Sequence, residues 1–325
     1  MHISLKHTAL ATVGWLVFAM AANAEVLQVG PTRKVASLAV ASVVAKSGDT
    51  VEVDAGTYPA DVAIWAQSNL TLRAVGGRVR LLALGAAAEG KAIWVVRGGA
   101  MAVQGFDFVG AKVADKNGAG IRFEKGQLSI KDCTFTDNEN GILTSGDKDA
   151  ELLIENSEFG NNGFGDGYSH NLYVGAIKKL TVTGSYFHHA KVGHLLKSRA
   201  AENHIFYNRL TDETGGRANY ELEFPNGGLA YVVGNVLADD RPSNGKWLAV
   251  KPVDASKPVA VVVKAMNNLL VGTGSLDAGV DAKQAIVDIR NNLNVDWDVF
   301  VPGSANGVDL TPKREYVHPR QTRGV

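Results

Sequence analysis

The chain has a single cysteine, Cys133, in 325 residues. That excludes an internal disulfide framework and any zinc or iron–sulfur site built from several thiolates. Proline is scarce at 9 residues, and aromatic residues make up only 7% of the chain. A core must come mainly from small and branched aliphatic side chains, which the 46% hydrophobic content supplies. Neither sign of charge predominates, since Lys+Arg and Asp+Glu are both 33. Without a basic excess there is no global field to draw in a polyanion, so no nucleic-acid partner is expected. After residue 24 no apolar run approaches ~18 residues, so no membrane span is expected in the mature chain.

What is present begins with a leader. Lys6 gives a positive start, Thr8 to Ala22 is mostly apolar, and Ala22-Asn23-Ala24 has the small-x-small form of a cleavage site. Residues 1–24 read as a signal peptide cut near Ala24, which places the protein in the periplasm or outside the cell. The leader holds one Lys and no acid, so its removal leaves a net charge of −1. Residues 25–300 read as one domain and 301–325, rich in Pro, Arg and Gly, as a tail. A monomer is expected.

A repeat fills the domain. Leu128-Ser-Ile-Lys-Asp-Cys-Thr-Phe135 resembles Leu152-Leu-Ile-Glu-Asn-Ser-Glu-Phe159 and Leu180-Thr-Val-Thr-Gly-Ser-Tyr-Phe187. Met101 to Phe108 opens the series, and segments ending at Leu210, Leu237, Leu270 and Asn294 continue it. The closing positions are 27, 24, 28, 23, 27, 33 and 24 residues apart. Such jitter suits a solenoid whose turns vary in length. Two residues before each close stand Phe106, Cys133, Ser157, Ser185, Asn208, Asn235, Asn268 and Asn292. A side-chain amide both donates and accepts, so stacked copies can bond one another and the backbone of a sharp turn. The series reads as an asparagine ladder, with Cys133 as a small buried residue in one slot.

The pattern resembles the right-handed parallel β-helix of the pectin-lyase-like superfamily. An apolar helix from Val35 to Lys46, followed by Ser47-Gly-Asp-Thr-Val-Glu-Val-Asp-Ala-Gly-Thr-Tyr58, strengthens the likeness. In that family a short helix covers the open end of the solenoid, where bare strand edges and core would otherwise be exposed. The expected fold is all-β, a right-handed parallel β-helix with an N-terminal capping helix. The resemblance also implies that the third strand of each coil lines a substrate groove. Its copies include Gly141-Ile-Leu-Thr-Ser145, Asn171-Leu-Tyr-Val-Gly175, Leu195-Leu-Lys-Ser-Arg199, Asn219-Tyr-Glu-Leu-Glu223 and Trp247-Leu-Ala-Val-Lys251. With Ile142, Leu172, Leu196, Tyr220 and Leu248 pointing inward, alternation gives two outward columns. One reads Leu143, Tyr173, Lys197, Glu221, Ala249. The next reads Ser145, Gly175, Arg199, Glu223, Lys251.

Five of the six histidines after residue 24 fall between positions 170 and 204. A solenoid needs no such concentration for stability. The expected catalytic group is Lys197, Arg199, His194, Tyr173 and His170. Glu221, Glu223, His188, His189, Lys191 and Asn171 are expected to bind substrate, and His204 to be structural. Lys197 and Arg199 suit recognition of a uronate carboxylate and a base or charge-stabilising role, while Tyr173 or a histidine suits the acid. The expected substrate is an acidic polysaccharide or oligosaccharide, cleaved by β-elimination. Ca²⁺ is a cofactor that the resemblance allows, and no His-rich metal spacing is present. The motifs Asp-Pro-His-Asp of mannuronan C5-epimerases, Asn-Thr-Asp of polygalacturonases and Arg-x-Pro-x-x-Arg of major pectate lyases do not occur. Three alternatives stay open: a glycoside hydrolase using Glu221 and Glu223 as paired carboxylates, a uronan epimerase on the same groove, and a non-catalytic glycan-binding β-helix.

Overall fold

The computed structural model describes residues 24–239, 246–250, 261–272, 275–277, 285–295 and 300–301. Residues 1–23 of the leader, residues 302–325 of the 301–325 tail, and Lys251 lie outside the described residues. Each coil contributes three strands, as in Lys179–Thr183, Tyr186–His188 and His194–Ser198. The first two join one large sheet, and the third joins a nine-stranded sheet ordered by sequence along the solenoid. Neighbouring coils pair in parallel, as a solenoid of β-rich turns requires.

The repeat register is the one expected. Phe108, Phe135, Phe159, Phe187, Leu210, Leu237, Leu270 and Asn294 stand opposite one another in a single column. Four of these residues are phenylalanines whose rings stack through the core at 4.8, 4.6 and 4.7 Å. Each stacked pair adds roughly 0.5–1.5 kcal/mol beyond its buried area.

The ladder is present at every expected rung from Cys133 onward. The backbone N–H of Asn208 donates to Asn235 Oδ1 at 2.8 Å, Asn235 to Asn268 at 2.9 Å, and Asn268 to Asn292 at 2.9 Å. Serine carries the same pattern backward. Ser185 N donates to Asn208 Oδ1, Ser157 N to Ser185 Oγ, and Cys133 N to Ser157 Oγ. A second, shorter ladder was not foreseen. Asn138 N donates to Asn162 Oδ1, and Asn162 N donates to Asn171 Oδ1, both at 3.1 Å.

The N-terminal helix is shorter than expected, spanning Leu38–Val44. Ser37 Oγ accepts from Val40 N, and Asp61 accepts from Leu38 N at 2.7 Å and Ala39 N at 2.8 Å. These bonds satisfy amides that a helix start leaves without partners. The chain is already extended again at Ala45 (ψ 144), which ends the helix. Leu38 and Ala41 join the core, and the helix packs beside Ala63–Trp65, the terminal strand of the nine-stranded sheet. Asp49 ties this end together, accepting from Glu25 N and Lys46 N.

Candidate active site on the nine-stranded sheet

The third strands bring all five expected catalytic residues together. Lys197 pairs in register with Tyr173 on one side and with Glu223 on the other. Lys197 Nζ lies 3.0 Å from Glu223 and 5.9 Å from the Tyr173 ring centroid. Arg199 Nε donates to the Tyr173 hydroxyl at 3.2 Å, and its Nη1 donates to Asn226 Oδ1 at 2.6 Å. His194 Nε2 is 2.8 Å from the same Glu223 oxygen that holds Lys197. The rings of His170, His194 and Tyr220 follow one another across three coils at 4.7 Å each, tilted by 31° and 36°. His170 also meets Tyr173 edge-on at 5.0 Å.

Two expectations about facing are corrected. Simple alternation placed Glu221 beside Lys197 and turned Tyr220 inward. The structure sets Leu196 opposite Leu222 and Lys197 opposite Glu223, a shift of two residues. The reason is that alternation breaks early in these strands. Leu195 and Leu196 are both core residues, so His194 and Lys197 share the outer face and converge on Glu223. Glu221 lies between Tyr220 and Leu222, which stand opposite His194 and Leu196, and is fully buried. Glycine holds this column in earlier coils. A Cβ at Gly141 would lie 2.8 Å from the Phe159 ring, which shows the column facing the core.

Asn171 also leaves the expected substrate-binding set. It is fully buried, accepts from Asn162 and donates to His188 O at 2.7 Å, so it is a rung of the second ladder. His188, His189 and Lys191 lie in the preceding strand and turn, beside the cluster. His188 Nε2 is 3.2 Å from Glu158, and its Nδ1 is 2.6 Å from His189 Nδ1. Lys191 pairs with Asp137 at 3.0 Å. A cleft of about 300 Å³ on that side is lined by His189, Arg209 and Glu213 and contains none of the Tyr173–Lys197 group. His204 sits in the larger sheet, away from the cluster, as expected of a structural residue. Asn226 was not singled out from sequence, although Pro225-Asn-Gly-Gly228 marks a turn at the end of this strand.

The electrostatics divide the roles. Burial opposes ionisation of Glu223, but the hydrogen bonds and charges of His194 and Lys197 outweigh it and hold the carboxyl at about 2. Glu223 is therefore an anion that anchors two neighbours. Burial, then the charges of His194, Lys197 and Arg199, push His170 well below the usual imidazole range. His170 is neutral, and because its Nδ1 accepts from His194 N at 2.9 Å, its proton sits on Nε2. His194 Nδ1 is buried and makes no hydrogen bond among the described residues.

Among the described residues no group of three or more His, Cys, Asp or Glu is placed to hold a metal. Calcium needs six to eight oxygen ligands. The carboxylate of this cluster is already taken by His194 and Lys197, so these residues do not fit a Ca²⁺ site.

No protein-family model and no curated protein sequence matches the chain. Solved structures give distant likenesses. A pectin methylesterase mutant in complex with a hexasaccharide matches with a TM-score of 0.47 at 10% identity, covering 91% of this chain and 94% of that one. Escherichia coli YbhC matches with a TM-score of 0.47 at 12% identity, over 91% of this chain and 90% of that one. Pectate lyase Pel9A matches with a TM-score of 0.46 at 12% identity, over 80% and 79%. At this distance no functional residue carries across, and the solenoid rests on the strand register itself.

Proposed function

We propose that the protein is an exported polysaccharide lyase that cleaves a uronic-acid glycan by β-elimination on the outer face of the nine-stranded sheet. The observation that carries this reading is the Tyr173 phenol, bonded by Arg199 Nε at 3.2 Å with the Lys197 ammonium 5.9 Å from its ring. Arg199 and Lys197 are two cations beside the phenol. They suit the C6 carboxylate of a uronate, and neutralising that carboxylate makes the C5 proton acidic. The Tyr173 hydroxyl oxygen takes the C5 proton as its own proton passes to the departing C4 oxygen, and the C4–O bond breaks as the C4–C5 double bond forms. Glu223 fixes Lys197 in place, and His194 fixes Glu223. Lys197 thus acts as a charge rather than a base, because its amine is engaged with a carboxylate. Neutral His170 buttresses the phenol ring.

The paired-carboxylate hydrolase is disfavoured on two grounds. Glu221 lies on the inward column, and Glu223 is held at about 2, far too acidic to retain a proton for a leaving group. Export through the 1–24 leader goes with a substrate outside the cytoplasm.

The test is incubation with a panel of polyuronates, following the ultraviolet absorbance of the unsaturated uronide and, separately, reducing ends. A lyase raises both in step. Reducing ends without absorbance mean a hydrolase, and neither signal on any polyuronate leaves an epimerase or a binder.

A further inference from the structure

Arg122 occupies the same outward column as Tyr173, two strands earlier, with Leu143 between them. Two strand spacings put it ~10 Å along the solenoid from the phenol. Four described arginines are half-buried: Arg97, Arg122, Arg199 and Arg209. Arg97 pairs with Glu89 and Glu124, Arg199 bonds Tyr173 and Asn226, and Arg209 pairs with Glu213. Arg122 forms no ion pair or side-chain hydrogen bond among the described residues, and its Nε is buried without a partner.

Its surroundings sharpen the contrast. The residues flanking it on the column are Val95 and Leu143, and both belong to a small apolar cluster on this outer face that Tyr173 also packs against. Glu124, just past the end of the same strand, is already held by Lys91 at 2.9 Å and Arg97 at 3.0 Å. A guanidinium kept among apolar neighbours with an unsatisfied buried donor is costly unless an anion completes it. Its planar fork matches a carboxylate.

We infer that Arg122 is a distal subsite that binds the carboxylate of a second uronate residue while a first is held at Tyr173, Lys197 and Arg199. The inference rests on the lyase reading and deepens it. The glycan runs across the strands, along the solenoid axis, and carries carboxylates on sugars beyond the one being cleaved. The loop at 110–118 meets the loop at 161–171 where Lys116 Nζ lies 4.5 Å from the Phe164 ring centroid, ahead of the strands that carry Arg122 and Tyr173.

Calorimetric titration of the full chain with galacturonate and mannuronate hexamers, and with the matching disaccharides, tests this. A disaccharide seated at Tyr173 ends short of Arg122. The expected result is that Arg122→Gln weakens binding of the preferred hexamer about tenfold. Disaccharide binding and melting temperature stay at the wild-type values, and Arg122→Lys falls between. If wild type binds a hexamer and Arg122→Gln binds it equally well, the subsite is wrong while the lyase reading stands. If Arg122→Gln lowers the melting temperature markedly, Arg122 belongs to the fold and the subsite is likewise wrong. If wild type binds neither hexamer and the polyuronate panel yields no unsaturated product, the lyase reading and the subsite fall together.

Discussion

At the ladder turn, Asn208, Asn235, Asn268 and Asn292 are buried, and each amide is spent on its neighbours. Oδ1 of Asn235 takes both the N–H and the Nδ2–H of Asn208, while its own Nδ2 donates to Ile205 O at 2.8 Å. On the outer face of the third strands of earlier coils, polar groups keep capacity in reserve. His194 Nδ1 and Arg122 Nε are buried without partners among the described residues, and Tyr173 has two cations beside it. Polarity at the turn closes on itself and holds the coils in register. Polarity on the sheet face leaves buried side-chain nitrogens without partners among the described residues. The difference separates residues kept for the fold from residues available for chemistry, even where both kinds are equally buried.

The comparison is broken most severely at the sheet face. Replacing Arg199 or Lys197 with Ala removes charge from the carboxylate site and should lower turnover by about 10²–10³-fold. The melting temperature should be almost unchanged for Arg199→Ala, whereas Lys197→Ala also takes one partner from Glu223 and should lower it modestly. Initial rates and thermal melts on the same samples check this, and full activity in both variants would leave the charged column a solvated ion-pair ladder.

The ladder should show the converse. Asn235→Ala strands the Asn208 N–H and Ile205 O. It should cost about 1–3 kcal/mol, roughly 2–4 °C of melting temperature per kcal/mol in a chain of this size. A melt indistinguishable from wild type would remove the ladder's structural role.

Acid titration sharpens the position of Glu223, which has features of both sets. Its folded value of about 2 lies below the ordinary 4.5. A depressed carboxylate contributes stability that is fully present above its unfolded value and is lost as pH falls through the folded one. The contribution should therefore disappear between pH 4.5 and 2. Glu223→Gln should be less stable at neutral pH and flatten that part of the acid curve. An unchanged slope in denaturant midpoints across this window would contradict the anchoring role.

The smallest effect is expected at Cys133. Its Sγ lies 3.3 Å from Lys131 O, two residues back. Ser157 and Ser185 donate in that same pattern to Glu155 O and Thr183 O. Cys133→Ser should change stability by less than about 1 kcal/mol. In wild type the buried thiol should react with a thiol reagent only on unfolding.

Most of the fold was legible because the solenoid writes one rung per coil. Ser185, Asn208 and Asn235 recur at a fixed offset from an apolar close, whatever the turn length. The proximity of Tyr173, Lys197 and Arg199 was legible for a related reason, since it follows from repeat spacing and side-chain alternation. The facing of Glu221 and Glu223 was not. Both carboxylates have the same parity, and the break at Leu195-Leu196, with two consecutive inward residues, leaves no mark that hydrophobicity alone reveals. The second ladder was hidden because Asn171 comes nine residues after Asn162, brought back by a loop rather than by a full coil. Arg122 was missed as a site residue because its neighbours on the column, Val95 and Leu143, read as ordinary strand residues. Only the register shows it in line with Tyr173.

The most direct test of the proposed chemistry is Tyr173→Phe, which removes one hydroxyl and leaves the ring against His170. On the polyuronate that gives the unsaturated product with wild type, absorbance should rise at a rate about 10²–10⁴-fold lower for the variant, with thermal melting and hexamer affinity preserved. A variant that forms the unsaturated uronide at close to the wild-type rate would contradict the account, because the proton would then be moved by some other group.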